Sequence, residues 1–293
     1  MQGAAKALGW TLVVAAFAAA PAPALAAHVA CGDAITQDTT LDSDLLDCPG
    51  NGVEIAADGV TLDLGGHLID GSGRGLGVVA FAGSSDSVVT GGRLSGFLHA
   101  IALAGGTGKV VREIELTENH DGILVTGGDG ALIERVVAWD NDGSGVNMPF
   151  ARNALVRDNV MVGNAAAVSA FGMSDSRFEH NLFASSDFHG IRFAAVTGTV
   201  VAQNRLPANG VFGIRLEDGS VGNLLSRNHV TGGSGDGISL AEDSGANRLE
   251  RNHSDRNGGL GFDAPVGVEL DLLNKARRNG DPRQCVGVDC GRP

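Results

Sequence analysis

The chain has 293 residues, with 34 Asp plus Glu against 21 Lys plus Arg, a formal net charge of −13, 45 Gly and no Tyr. An acidic balance of this size argues against nucleic acid and anionic membranes as general partners. It also disfavours strongly anionic polysaccharides unless cations or a local arginine cluster mediate. The missing Tyr excludes a tyrosine acid or base and a Tyr-lined sugar platform.

Residues 1–26 read as a secretory signal: Lys6 supplies the charged end, Leu8 to Ala20 the apolar run, and Ala24-Leu25-Ala26 the small-residue cleavage site. The run is too short to span a bilayer. The expectation is a mature domain over 27–293, secreted or periplasmic. Cleavage one residue later would leave His28 at the N-terminus, where an amine plus imidazole grips copper, but no second site of that kind accompanies it.

The four cysteines fall at the two ends of the chain, and three pairings are formally open. In an exported chain that placement favours the local bridges Cys31–Cys48 and Cys285–Cys290. Each would pin a terminal segment over the open end of a stacked structure. The Cys and His spacings of a zinc site are missing.

From Gly52 onward one short phrase returns, as in Gly122-Ile-Leu-Val, Gly190-Ile-Arg-Phe, Gly213-Ile-Arg-Leu and Gly237-Ile-Ser-Leu. Ten such registers lie 22 to 25 residues apart. Each unit buries its apolar side only by stacking on the next. Within a unit, three alternating segments separated by turn residues predict three strands. The first points Ile123, Val146, Val168, Ile191, Ile214 and Ile238 inward. Between the second and third stands one Asn per unit: Asn159, Asn181, Asn204, Asn228 and Asn252. Asn tolerates left-handed backbone and bonds to nearby main chain, which suits a tight bend, and stacked amides pair from coil to coil. A looser second set, Asn119, Asn141, Asn164, Asn209 and Asn257, precedes the next Gly-Ile. The prediction is an all-β, single-domain right-handed parallel β-helix of about ten coils, by the count of registers. A left-handed helix would need hexapeptide units, which are absent.

The phrase at 58–71 (Asp-Gly-Val-Thr-Leu-Asp-Leu-Gly-Gly-His-Leu-Ile-Asp-Gly), the Gly-Ile repeats with their Asn ladder, the tail Asn257-Gly-Gly-Leu-Gly-Phe-Asp and the segment Asn279-Gly-Asp-Pro-Arg-Gln-Cys together resemble secreted bacterial right-handed β-helix repeat proteins. That group belongs to the pectate-lyase-like superfamily, which includes polysaccharide lyases, glycoside hydrolases, epimerases, adhesins and a NosD-like copper-maturation branch. The shared motifs are scaffold motifs, and a fold alone does not choose among functions.

In enzymes of that superfamily the site usually lies on the outer face of the first sheet. Here alternation puts Asn147, Ser169, Arg192, Arg215 and Ser239 outward, with Asp121, Ser144, His189, Phe212 and Asp236 just before the Gly. Arg neutralises a uronate carboxylate and His moves protons near neutral pH. Arg192, Arg215 and His189 are therefore the candidate catalytic residues, and Asn147, Glu217, Asp236 and Ser239 the candidate substrate-binding ones. The paired Asp of pectin hydrolases is missing, and Asp121 and His189 lie three coils apart. That separation, about 14 Å at sheet spacing, excludes inverting hydrolysis on that pair.

Arg205, His229 and His253 form an outward column on the third sheet, but no acid or thiol completes a metal site there. No metal ligand set or cofactor motif is assigned; calcium is the one ion left open. Val137, Trp139, Val160, Val162 and Leu182 cluster outward on that sheet as a candidate protein-partner face. No coil carries a long insertion of the kind that builds groove walls. The leading expectation is an exported β-helix that interacts with polysaccharide or serves a binding or structural role in the cell envelope. The alternative is a polysaccharide lyase or C5-epimerase acting on a uronate-containing glycan.

Overall fold

The computed structural model describes residues 26–265, 268–270 and 273–290. The expected export signal up to residue 25 lies outside them. Every regular element in the described residues is a short strand, and all strand pairs are parallel. The Gly-Ile strands form a twelve-stranded sheet with neighbours in strict chain order, while the second and third strands of the coils fall in one 21-stranded sheet. A solenoid results. Two first-sheet strands lie beyond the ten recognised registers, Asp33–Ile35 and Cys285–Val286, one at each end. Neither carries the Gly-Ile phrase, so the repeat pattern did not reveal them. Eleven steps between the twelve strands make a rod about 53 Å long at a spacing of about 4.8 Å.

The core is the predicted inward column. Ile123, Val146, Val168, Ile191, Ile214, Ile238 and Phe262 are fully buried and stand in register from coil to coil. Burying each such side chain stabilises by about 1.5–3 kcal/mol, so every repeat supplies its own increment.

The bends depart from expectation in one respect. The left-handed residue between the second and third strands is not the ladder Asn but the residue before it: Asp158 (φ 56°), His180 (57°), Gln203 (57°), Arg227 (55°) and Arg251 (52°). The Asn can then turn its amide inward. Asn204 Nδ2 donates to Phe178 O (2.8 Å) and to Asn228 Oδ1 (3.1 Å), while its own Oδ1 accepts from Asn181 N and Nδ2. Asn274 extends the column by one coil. Where no Asn stands at this bend, the second and third strands run together as Val88–Ser95 and Val110–Thr117.

The looser set is also a ladder, linking Asn119 to Asn141 to Asn164 and Asn257 to Asn279. It stops at Gln284, whose Oε1 accepts from Asn279 N and Nδ2 while its Nε2 donates to Asn279 O and Asp281 O. A third column, Ser176, Thr199, Asn223 and Asn247, closes the bend after the first strand. Its mixed residue types hid it in the sequence. The Gly of the Gly-Ile phrase answers to close approach rather than to φ. A Cβ on Gly213 would lie 2.1 Å from Val230 Cγ1 and 2.6 Å from Gly237 O.

Both bridges form as expected, with Cα atoms 5.4 Å apart for Cys31–Cys48 and 6.4 Å for Cys285–Cys290. No helix among the described residues is long and apolar enough to cross a membrane.

Candidate functional site on the first sheet

The outward columns stack as the alternation predicts: Asn147, Ser169, Arg192, Arg215 and Ser239 are consecutive register partners, as are Ala166, His189, Phe212 and Asp236. The side chains then sort themselves into two clusters.

The larger cluster centres on Glu217, two residues beyond Arg215 on the same face. Arg192 Nε donates to Glu217 Oε1 (2.7 Å) and Arg215 Nε to Oε2 (3.2 Å). Arg215 also donates from Nη1 to Ser239 Oγ (2.7 Å) and lies 5.0 Å over the Phe212 ring. Both guanidiniums are thereby fixed. Burial pushes the Glu217 carboxyl up, but hydrogen bonds from Arg192 and then Arg215 outweigh it and hold the group below the ordinary carboxylate range. His189 stacks on Phe212, with ring centroids 5.7 Å apart and planes 18° apart. Burial, then the Arg192 charge, lowers its pKa, so the imidazole is neutral near pH 7. Its Nδ1 is buried with no hydrogen-bond partner.

Ser239 is buried beneath this cluster as the seat of Arg215. Asp236 spends one oxygen on Leu260 N. Asn147 belongs elsewhere, two coils before Arg192, where its amide donates to Asp121 Oδ2 (3.1 Å).

That second cluster was not foreseen. His99 and Asp121 are register partners on adjacent coils, and His99 Nδ1 lies 3.2 Å from Asp121 Oδ2, off the line of a good hydrogen bond. Asp121 is buried, and Ser144 N donates to its Oδ1 (2.6 Å). Burial opposes ionisation there, but the neighbouring His99, Ser144 and Asn147 outweigh it and lower its pKa. The signal was present in the sequence, since His99 stands directly before the Ala100-Ile register, one coil before Asp121.

Exposed aromatics border the larger cluster. Phe171 occupies the Glu217 column two coils earlier and packs edge-on against Phe150, with ring centroids 5.2 Å apart. Phe188 precedes His189 at the opposite edge of the sheet. Phe150, Phe171 and Phe188 are each about half exposed, at 56%, 49% and 55%.

On the third sheet, Val137, Val160 and Leu182 are register partners, as are Trp139 and Val162, and all five reach the surface. Trp139 donates from Nε1 to Glu115 (2.9 Å). His229 and His253 stack outward as expected, 6.0 Å apart at the ring centroids. No three His, Cys, Asp or Glu among the described residues group as a metal site.

A model of the right-handed β-helix region matches residues 99–254, which is 156 of the 293 residues. The chain belongs to the right-handed β-helix family. Curated protein sequences give no match. Among solved structures, this β-helix resembles the A-module of the Azotobacter vinelandii mannuronan C-5 epimerase AlgE4, at 13% identity over 85% of this chain and 86% of that one, with a TM-score of 0.63. It also resembles the periplasmic alginate epimerase AlgG, at 13% identity over 82% and 76% of the two chains, with a TM-score of 0.58. A third is the tailspike of Escherichia coli bacteriophage HK620 in complex with a pentasaccharide, at 13% identity over 83% and 55%, with a TM-score of 0.66. At these identities the likeness establishes the shared fold.

Proposed function

We propose that this β-helix binds a polysaccharide on the outer face of its first sheet, in the compartment outside the cytoplasm. One observation carries the reading: the fixed Arg192–Glu217–Arg215 array shares its sheet face with exposed aromatic rings. Sugars present hydroxyls in fixed directions and flat C–H faces. Preorganised charged hydrogen-bonding groups suit the former and aromatic planes the latter. The solved structures of similar fold include two alginate epimerases and a tailspike holding an oligosaccharide, which supports a glycan as ligand. Two disulfides support an oxidising location.

Affinity electrophoresis through gels containing neutral and acidic glycans tests the reading. Retention is expected in at least one gel, and Phe171→Ala and Arg192→Ala should each weaken it about tenfold, some 1.4 kcal/mol. Parent mobility unchanged in every gel would refute it. Calcium is the ion left open, and repeating the gels with EDTA reads its contribution.

The second reading, a lyase or C5-epimerase, is favoured by one feature: a neutral His189 beside Arg192. A base and a guanidinium on one face are what abstraction of the proton next to a uronate carboxylate needs. Both guanidiniums are bonded to Glu217, so a uronate would have to displace that carboxylate first. Ultraviolet-absorbing unsaturated ends from pectin or alginate would reveal a lyase, and proton NMR of the polymer an epimerase.

A further inference from the structure

The acidic chain carries a concentrated basic face near its C-terminal end, on the third sheet. Register places Arg205, His229, His253 and Lys275 in one outward column over four consecutive coils. Arg277 stands beside Lys275 on the same strand, in register with Asp255 on the coil before. The left-handed bend residues flanking these strands include Arg227 and Arg251 on one side and Arg256 and Arg278 on the other. Seven of the chain's 21 Lys and Arg therefore share this face, all exposed, and among the described residues Asp255 is the one carboxylate within the same columns.

The neighbouring Arg248 shows what ordinary pairing looks like here, since Glu250 neutralises it. Arg256, Arg277 and Arg278 have no carboxylate at ion-pair distance among the described residues. With Asp255 they line a hollow of about 200 Å³. Burial, then the Lys275 charge, lowers the His253 pKa, so the arginines and the lysine supply the positive charge near neutral pH. Unpaired like charges on adjacent coils, as at Arg256 and Arg278, repel one another. A partner of opposite charge removes that cost.

We propose that this face binds a linear anionic polysaccharide, laid along the rod axis across four coils. Arg227 with Arg251, and Arg256 with Arg278, stand on adjacent coils, about 4.8 Å apart at the strand spacing. That step is comparable to the advance per residue of an extended glycan bearing a carboxylate or sulfate on every sugar. Apart from the His229 and His253 imidazoles, the described residues of these columns hold no Phe or Trp on which a nucleic-acid base could stack. A single exposed leucine at their edge, Leu273, is too little apolar surface to enter a bilayer. The face is separate from the first-sheet cluster, so the two readings stand or fall independently.

The full chain is titrated with polygalacturonate and with heparin at several salt concentrations from about 50 mM upward, because charge-driven binding weakens steeply with salt. Single-stranded DNA, phosphatidylglycerol vesicles and neutral dextran serve as comparators. The parent should bind at least one of the two polyanionic glycans more tightly than DNA or vesicles, with affinity falling as salt rises. The triple variant Arg256→Gln/Arg277→Gln/Arg278→Gln should bind it roughly tenfold more weakly, with a shallower salt dependence. Arg74→Gln, an equal charge change at an exposed position outside both faces, should leave this binding unchanged. Circular dichroism checks the fold, and Arg278→Gln alone, at an exposed bend, gives a milder second variant expected to weaken binding in the same direction. Failure of the parent to bind either glycan overturns the proposal. So does unchanged affinity in both variants, or tighter binding to DNA or vesicles. Loss of binding in Arg192→Ala with binding unchanged in the triple variant would move the site to the first sheet.

Discussion

Asn204 illustrates how one side chain holds two coils together. Its amide donates twice and its carbonyl accepts twice, all within buried surroundings. Asn204→Leu leaves several of those partners short, at about 1–3 kcal/mol for each buried group left unsatisfied. Arg192→Ala, at an outward position, should cost far less, within about 0.5–1 kcal/mol. Thermal unfolding of the two variants should separate them clearly. Lys109 offers a pH test. It is buried, its Nζ donates to Ala80 O, Phe81 O and Ala104 O, and burial pulls its pKa down to about 8 from 10.5. Between those values the unfolded chain holds the proton more tightly, so stability should rise with pH across that window and stay flat below it. Lys109→Met should abolish this rise in a series of urea titrations.

At the level of the strand and its bends, the period-2 alternation made most of the structure legible. Inward and outward columns followed from it because each strand is buried on one side only. The register of Arg192 with Arg215 was readable for the same reason, as was the separation of Asp121 from His189. What stayed hidden was the pairing of side chains across coils. Glu217 gathers both arginines because it stands two residues beyond Arg215, and nothing in its own repeat phrase announces that. His99 and Asp121 are likewise register neighbours whose pairing depends on side-chain conformation that alternation does not specify. The bends were half legible: Asn marked their place, yet the left-handed residue is its predecessor, whose identity varies. Gly213→Ala tests the element itself. Its new Cβ would meet Val230 and Gly237 O, so a loss of about 1–3 kcal/mol is expected from overpacking. A stability equal to the parent's would mean that the bend has more room than its geometry indicates.

Across the whole rod, coils contact only their neighbours, so stability is a sum of local terms and the ends are the weak points. Cys31–Cys48 closes a 17-residue separation within the first coil, a constraint worth about 3 kcal/mol. Its removal by Cys31→Ser/Cys48→Ser should raise amide exchange in the first coils and leave the middle of the rod protected. The two faces read here, a cluster of two arginines on one glutamate with aromatics on the first sheet and a cationic one on the third, lie on different sides of the same scaffold. The 21 Lys and Arg of a chain with net charge −13 are therefore unevenly spread, and bulk charge was a poor guide to local partners. Gln284 has a consequence for length. Where two ladder Asn are consecutive, the first donates its N–H and one Nδ2 hydrogen forward to the next coil, as Asn257 does to Asn279, so a chain cut between them leaves those donors open. Gln284 folds back to receive the donors of Asn279. One side chain thus closes this ladder: Asn279 finds its acceptor five residues on instead of in a further coil, and replacing Gln284 would leave the Asn279 N–H and one Nδ2 hydrogen open.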